Sequence, residues 1–420
     1  MCIRDSRIPE PSGIAVTAEQ TPALFALIDD LRGRLQAPPI DRVLIGGTFN
    51  GSVHQIARAG GLLGRRNILA IGYPLFATLG PEHLRAVVAH EIGHLSRAHG
   101  RMAVWIYRTR HSWWRLSAEL RERGVMPIHV RLLYRWYLPR LDRHAMAICR
   151  EHERLADRAA ATAAGSQHTA ETLIAVDAAA WHIGPAFWDA VDARVGDEPE
   201  PPRPYAELSP RIWQGPAAGH SVIEWLLDRE TSKHDSHPSL RDRLYALDLP
   251  ARLPDVVGPT AAEVYLGAAA AELAGRLDDD WQNERREEWH RLHQETAARR
   301  ARLQSLSSLA QPSSEERFER AELVERFDGA VAAQPIYRDA LAAGSARAGL
   351  AIGRHLLAED DPAGVAAIEQ AMTADPSLIP EGCGLLMPFL ERHRRLLDMH
   401  RFTRLEKRHR ASVRQQSTSL

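Results

Sequence analysis

The spacing of apolar residues along the chain predicts mainly helices, with two short strands near the start. Over residues 17–35 apolar side chains recur at every third or fourth position, which indicates an amphipathic helix. The period then changes, and residues 42–47 and 66–75 indicate short strands separated by a Gly-rich connection. Pro81, a residue favoured in the first turn of a helix, begins a further helix that we expect to run to about Arg97.

Helical spacing continues over most of the remaining chain. It covers residues 102–164, with breaks predicted at Pro127 and Pro139, and an acidic, proline-rich loop over 197–204 separates this block from residues 205–249. These patterns predict four regions. They are a first domain at 14–250, a charged helical connector at 251–310, a helical-repeat-like domain at 311–400 and a basic tail at 401–420.

The third of these regions contains a weak internal repeat. The segment at 337–341, Tyr-Arg-Asp-Ala-Leu, is followed 31 residues later by Ile-Glu-Gln-Ala-Met at 368–372. Tetratricopeptide-type helical hairpins repeat about every 34 residues, so the period fits imperfectly, and two unrelated amphipathic hairpins remain the alternative. If the hairpins are repeats, we expect them to offer a surface for a protein partner.

Composition narrows the classes of function. The chain has 420 residues, of which 45% are hydrophobic, and this is ordinary for a globular protein with a substantial core. Its formal net charge of -1 gives no overall field that would attract nucleic acid or an anionic surface. We therefore predict no nucleic-acid partner.

The cysteines and the hydropathy of the chain indicate the cellular compartment of the protein. The three cysteines, Cys2, Cys149 and Cys383, are far apart and form no CxxC pair, which favours a reducing environment. No apolar run reaches the roughly 18 to 20 residues that cross a bilayer, and the first residues lack the features of a signal peptide. The abrupt opening of the sequence resembles a truncated start, so we expect that upstream segments could be missing.

The first chemical signal is the sequence His-Glu-Ile-Gly-His at residues 90–94. Two imidazoles four positions apart on a helix lie on one face, close enough to bind a single ion. Zinc accepts such ligands and keeps an open position for water at catalytic sites. Glu91, next to the first ligand, would then accept the proton of that water.

A third ligand must come from elsewhere in the chain. The metzincin continuation HExxHxxGxxH is absent, because Arg97 stands three residues after His94. Glu153 and Asp157 offer a carboxylate ligand and a second acid one turn later on an Ala-rich helix, where the second acid could orient a metal-bound imidazole. The alternative for this pair is an ordinary salt-bridged surface helix.

Three ordered elements resemble the zinc metallopeptidase family that contains the CAAX prenyl proteases and the HtpX heat-shock proteases. They are HExxH at 90–94, ExxxD at 153–157 and His-Pro-x-x-x-x-Arg at 237–243, and the likeness covers roughly residues 15–250. The resemblance implies His90, His94 and Glu153 as ligands of one Zn²⁺ per chain, Glu91 as catalytic base and Asp157 as the support behind the metal. It also implies that His237 and Arg243 line the cleft, where they would stabilise the oxyanion of the tetrahedral intermediate. For these last two residues a turn and a surface charge are the alternatives.

Smaller features also follow the family pattern, with two departures. Asn50-Gly51 resembles an Asn-Ala element that precedes the edge strand, with Gly in place of Ala, and Cys149 stands where Ser is usual. We expect an extended substrate to pair with an exposed strand edge at residues 67–73.

The predicted fold class is α+β: a mainly helical catalytic domain of gluzincin type with a small β-sheet, followed by an all-helical, tetratricopeptide-like region. The predicted function is that of a zinc-dependent endopeptidase acting on protein or peptide substrates. The alternative is a catalytically inactive, repeat-containing adaptor with a vestigial or structural metal site.

Members of this family are often embedded in membranes. The resemblance therefore implies that the full-length protein is membrane-associated through upstream segments, with its catalytic domain in the cytoplasm. An aromatic cluster between the two metal helices could lie at a membrane interface or simply pack in the core. It consists of Trp105, Trp113, Trp114, Trp136 and Tyr137.

Overall fold

A computed structural model describes most of the chain and divides it into two compact units, Met1–Trp289 and His290–Leu420. The described residues are 11–57, 65–95, 136, 138–209, 220–232, 237–251 and 258–417. The first unit combines a small sheet with helices, and the second is helical throughout its described part. The predicted α+β class with a helical C-terminal region is therefore confirmed.

The sheet of the first unit has four strands in the order β1-β2-β4-β3. They are β1 (Ile14–Val16), β2 (Arg42–Gly46), β3 (Gly51–Ala57) and β4 (Arg65–Gly72). The pair β2 and β4 is parallel, whereas β1 runs antiparallel to β2 and β3 antiparallel to β4. The register places Gly51, the first residue of β3, opposite Ile71 of β4.

The expectation of an exposed edge at residues 67–73 is wrong. Strand β4 pairs on one side with β2 and on the other with β3, so it is an inner strand. Its residues Ile68, Leu69 and Ile71 are almost completely buried. A strand buried on both faces has this continuous apolar sequence. Among the described strands, β3 lies at the edge nearer the site described below.

Helices surround the sheet in the first unit. They are α1 (Pro22–Leu35), α2 (Tyr73–Thr78), α3 (Pro81–Gly93), α4 (Leu138–Ala164), α5 (Ser166–Trp181), α6 (Trp188–Ala193), α7 (Pro204–Glu207), α8 (His220–Asp228), α9 (Leu240–Leu247) and α10 (Ala269–Ser307), and α10 continues into the second unit. A π-helical turn, His182–Phe187, lies between α5 and α6, a 3-10 turn, Arg194–Gly196, follows α6, and a second π-helical turn, Ala262–Leu266, precedes α10.

Helix α1 shows how the apolar pattern becomes packing. Leu24, Leu27, Ile28 and Leu31 are all at most 5% exposed. They belong to one core cluster with the buried residues of β2, β4 and α3. Burying apolar side chains stabilises this arrangement by about 25 cal/mol per Å² removed from water. Helix α3 is thereby fixed against the sheet along the side opposite its polar residues.

The described part of the second unit contains six helices after the end of α10. They are α11 (Ser314–Asp328), α12 (Ala330–Ala342), α13 (Ala346–Ala358), α14 (Ala363–Ala374), α15 (Ile379–Arg392) and α16 (Leu396–Ser417), with a 3-10 turn, Pro376–Leu378, before α15. Successive pairs contact one another as helical hairpins that begin at residues 314, 346 and 379. Each of the two similar segments contributes a buried residue, Tyr337 in α12 and Ile368 in α14. A tetratricopeptide assignment for these hairpins stays a prediction, as do the four domain boundaries.

Two further expectations concern helix ends and the membrane. Helix α3 ends at Gly93, before the predicted end at about Arg97. Of the aromatic cluster, only Trp136, which is 64% exposed, is described, and the other four residues lie outside the described part. Among the described helices, none has a stretch that is both long and apolar enough to cross a bilayer.

Candidate metal centre

The last turn of helix α3 carries His90 and Glu91, and His94 is the residue that caps its C-terminal end. One side of the helix is packed in the core through Leu84, Val88 and Ile92, each 0% exposed. Because side chains four positions apart share a face, His90 and His94 project together from the other side. Their ring centroids are 4.8 Å apart and the rings are nearly perpendicular.

Helix α4 supplies the acids. Glu153 and Asp157 are one turn apart and are both buried, with residue exposures of 8% and 2%. An isolated buried carboxylate would be costly, so groups of this kind are paired or bind a metal. The alternative of an ordinary solvated salt-bridged helix does not fit this burial.

Close approach of the two helices depends on Gly93. A Cβ atom added at Gly93 would lie 3.1 Å from the Cβ of Ala159 and 3.3 Å from the Cα of Ala156. These separations are shorter than ordinary van der Waals contacts. Small residues on both helices therefore let α3 and α4 pack closely enough for Glu153 to reach the histidines.

Three potential ligands converge on one point. His90 Nε2 lies 3.2 Å from His94 Nε2 and 3.6 Å from Glu153 Oε2, and His94 Nε2 lies 3.7 Å from Glu153 Oε1. Donors bound tetrahedrally at about 2.0–2.1 Å from zinc would be separated by roughly 3.3–3.4 Å. The three side chains are the metal-binding group found among the described residues. Two imidazoles and one carboxylate with this spacing fit zinc.

Asp157 and Arg243 stand behind the first histidine. Asp157 Oδ1 is 3.0 Å from His90 Nδ1, although the angle falls short of a hydrogen bond, and Asp157 accepts two hydrogen bonds from the Arg243 guanidinium at 2.6 and 2.9 Å. Burial alone would raise the pKa of Asp157, but the Arg243 charge outweighs it and lowers the pKa to about 2. Asp157 therefore remains ionised beside the His90 ring.

The pKa of His90 responds to the same neighbours. Burial favours the neutral ring, yet the adjacent Asp157 and Glu153 carboxylates prevail and raise the pKa of His90 to about 9. The pKa of Glu153 is far below its ordinary value, because contacts with His237 and His90 exceed the effect of its burial. The site thus holds two ionised acids and attracts positive charge, which a divalent cation would supply.

His237 lies at the open side of the centre. Its side chain is 67% exposed, and its Nδ1 is 2.8 Å from Glu153 Oε2. This hydrogen bond raises the pKa of His237. His237 is thus placed beside the ligand set, where it can act as a cationic donor, whereas Arg243 is only 16% exposed and is held by Asp157.

Glu91 lies between the ligand set and the start of β3. A Cβ atom added at Gly51 would be 3.3 Å from Glu91 Cγ and 3.5 Å from its Oε1. Burial raises the pKa of Glu91, against the opposing charge of His90. A carboxylate with a raised pKa is a better proton acceptor near neutral pH. Gly51 stands where the family pattern has Ala, and because it has no side chain it leaves space beside this carboxylate.

The sequence reasoning missed Asp177 on α5. It is partly buried, and burial raises its pKa despite the neighbouring positive charges of Arg243 and Arg229. Arg243 therefore interacts with a further acid besides Asp157 and Glu153. The signal was present in the sequence, because Asp177 is the sole charged residue in the apolar run at 172–181.

Comparison with known proteins agrees with this geometry. Residues 50–251 match the model described as Peptidase family M48. The matched segment includes β3, both metal helices and the His237 and Arg243 element. No curated protein and no solved structure matches the chain. The match confirms the resemblance indicated by the three motifs: residues 50–251, just under half of the chain, are similar to peptidase family M48, a family of zinc metallopeptidases.

Proposed function

We propose that the chain is a zinc-dependent endopeptidase with one Zn²⁺ held by His90, His94 and Glu153. The observation that carries the proposal is the convergence of these three side chains, remote in sequence, at separations that suit tetrahedral zinc. Zinc bound there would polarise the carbonyl of the scissile bond and lower the pKa of a bound water.

Glu91 is the proton carrier in this proposal. Its carboxylate lies next to the ligand set, and its raised pKa suits it to accept a proton near neutral pH. It takes the proton of the attacking water and then donates it to the leaving amine. The same carboxylate therefore acts first as a base and then as an acid.

The other charged residues either position the ligands or stabilise the oxyanion. Asp157 orients the His90 ring, and Arg243 holds Asp157 through two hydrogen bonds. We accordingly assign Arg243 a positioning role, in place of the expected role at the oxyanion. His237, exposed and next to Glu153, is the residue we assign to stabilise the oxyanion.

The substrate is proposed to bind as an extra strand on β3. The opposite side of β3 has no partner among the described strands, and its first residue, Gly51, packs beside Glu91. A peptide pairing along this edge would carry a carbonyl past the metal ligands. Since an open edge lets a peptide continue in both directions, it supports cleavage within chains rather than only at their ends.

Comparing the wild-type chain with Glu91→Gln tests this function. We expect both proteins to bind about one zinc per chain, while only the wild type cleaves unfolded casein, because the amide cannot accept the proton. The matched control is Glu151→Gln, an exposed acid on α4 outside the ligand set, which should retain activity. Proteolysis by Glu91→Gln would remove Glu91 from the mechanism.

The same measurements address the alternatives. A zinc-loaded wild-type chain that cleaves no unfolded protein or peptide would favour the inactive adaptor. If zinc were structural, removal by phenanthroline would unfold the chain as well as stop cleavage.

Association of the full-length protein with membranes, with its catalytic domain in the cytoplasm, stays a prediction that flotation with lipid vesicles can test.

A further inference from the structure

A basic groove lies entirely within the second unit. It is formed by α14, the start of α15 and α16, and its volume is about 640 Å³. This is within the range of about 300–1,000 Å³ that is usual for ligand pockets. The metal centre is in the first unit, so the groove can be assayed for binding independently of peptide hydrolysis.

Positive charge dominates the rim of the groove. His400, Arg401, Arg404 and Arg408 project from successive turns of α16, and the single acid of the lining is Glu369. Glu369 forms an ion pair with Arg401. Within the part of the chain that the structure describes, Arg404 and Arg408 form no ion pair or hydrogen bond, and both are exposed.

The floor of the groove is apolar. Met372, Ile379 and Phe402 are buried and belong to the core cluster of this unit, and the partly buried Leu405 packs against it. Leu397, at the edge of the groove, is 87% exposed. An exposed leucine next to a concave apolar surface is a place where a partner can bury apolar side chains.

We propose that this groove binds an acidic peptide segment that carries one or two large apolar side chains. The apolar side chains would cover Leu397 and the groove floor, which gains free energy by removing this surface from water. Flanking Asp or Glu residues would pair with Arg404 and Arg408, because a guanidinium binds a carboxylate through two parallel hydrogen bonds.

The structure favours a peptide over other anionic partners. Binding of single-stranded nucleic acid depends mainly on bases stacking on exposed Phe, Tyr or Trp rings, and Phe402, which supplies such a ring in the groove lining, is 1% exposed. A lipid surface binds amphipathic faces that can lie flat on it, whereas this surface is concave. A peptide chain matches both the apolar floor and the charged rim.

The test measures binding by the full-length chain in the Glu91→Gln background, with mass spectrometry to verify that the peptide stays intact. The probe is the fluorescein-labelled peptide Asp-Glu-Leu-Glu-Leu-Asp-Glu, followed by fluorescence polarisation. We expect saturable binding that weakens with salt. It should fall at least about tenfold when the acids are replaced by their amides, or when the leucines are replaced by serine.

Variants of the protein locate the binding surface. The double change Arg404→Glu and Arg408→Glu should weaken binding at least about tenfold, since two attractive charges become repulsive. Leu397→Ser should weaken it through the apolar contact, with no change in charge. The matched control is the double change Arg338→Glu and Arg394→Glu, which alters the net charge equally at exposed positions outside the groove and should leave affinity within about twofold.

Several results would overturn the proposal. They are the absence of saturable binding, equal binding of the amide peptide, and unchanged binding by the Arg404 and Arg408 double variant. Tighter binding of an RNA oligonucleotide or of anionic vesicles than of the peptide would assign the groove to those partners instead. Self-association that the double variant abolishes, seen by sedimentation, would identify a second copy of the chain as the occupant.

Discussion

The close packing at Gly93 gives a sharp prediction about metal affinity. In Gly93→Ala the new methyl group would lie 3.1 Å from Ala159 Cβ and 3.3 Å from Ala156 Cα, so the helices must separate by a few tenths of an ångström. Overpacking of this kind costs about 1–3 kcal/mol. The separations of 3.6 and 3.7 Å between the histidines and Glu153 already slightly exceed those expected around zinc, and further separation would widen them.

We therefore expect Gly93→Ala to lose zinc affinity as well as stability. Affinity should fall by about tenfold, at the lower end of the 10–100-fold losses seen when metal ligands are misplaced by their surroundings. Competition with a chromogenic chelator measures this, and thermal unfolding of the metal-free chain measures stability. The control is Gly33→Ala on α1, where nothing lies within 4 Å, and it should be neutral or stabilising by up to about 1 kcal/mol. Zinc affinity within twofold of the wild type in Gly93→Ala would refute the reasoning.

Three further predictions follow from named contacts. Asp157→Asn should lower zinc affinity about 10–100-fold in chelator competition, because His90 loses its orienting charge and Arg243 its partner; unchanged affinity would contradict the assigned role. Ile368→Ala, at a position 0% exposed, should cost about 2–5 kcal/mol in urea unfolding, while Val331→Ala, 83% exposed, should change stability by less than about 0.5 kcal/mol. In Glu325→Gln, the free energy of unfolding should fall at neutral pH. Hydrogen bonds from Tyr337 and His355 and the charge of Arg354 outweigh the burial of Glu325 and hold its pKa below the ordinary value. Because a lowered carboxyl pKa stabilises only the ionised form, the difference from the wild type should narrow as the pH falls below about 4, and a constant difference in unfolding free energy would rule this out.

The proposed metal ligands could be selected from the sequence because their signal is local spacing. His90 and His94 share a helix face by periodicity alone, and Glu153 with Asp157 repeats that spacing on a second helix. Their convergence, however, depends on the contact between Gly93 and Ala156, which no spacing within one helix reveals. The order of the three motifs supplied that long-range information through the family resemblance.

The sheet was harder to predict because pairing is not local. Residues 66–75 were predicted as a strand, but only 66–72 lie in β4, whereas 73–75 begin helix α2. The continuous apolar run of this segment, which is typical of an inner strand, was interpreted as an edge. Strand β3 was missed because its sequence lacks a clear apolar alternation, and its residues 51–56 are all partly exposed. The motif that contains Arg243 gives no information about Asp157, so the two hydrogen bonds that Arg243 donates to this residue of another helix could not be predicted.

The central claim is that three side chains hold one zinc ion beside Glu91. Anomalous diffraction at the zinc edge, from crystals of the zinc-loaded Glu91→Gln chain, tests this directly. We expect one strong anomalous peak within about 2.0–2.2 Å of His90 Nε2, His94 Nε2 and a Glu153 oxygen, with a further position open to solvent. A peak that lacks Glu153 among its ligands, or one whose fourth position is closed by a protein side chain, would contradict it.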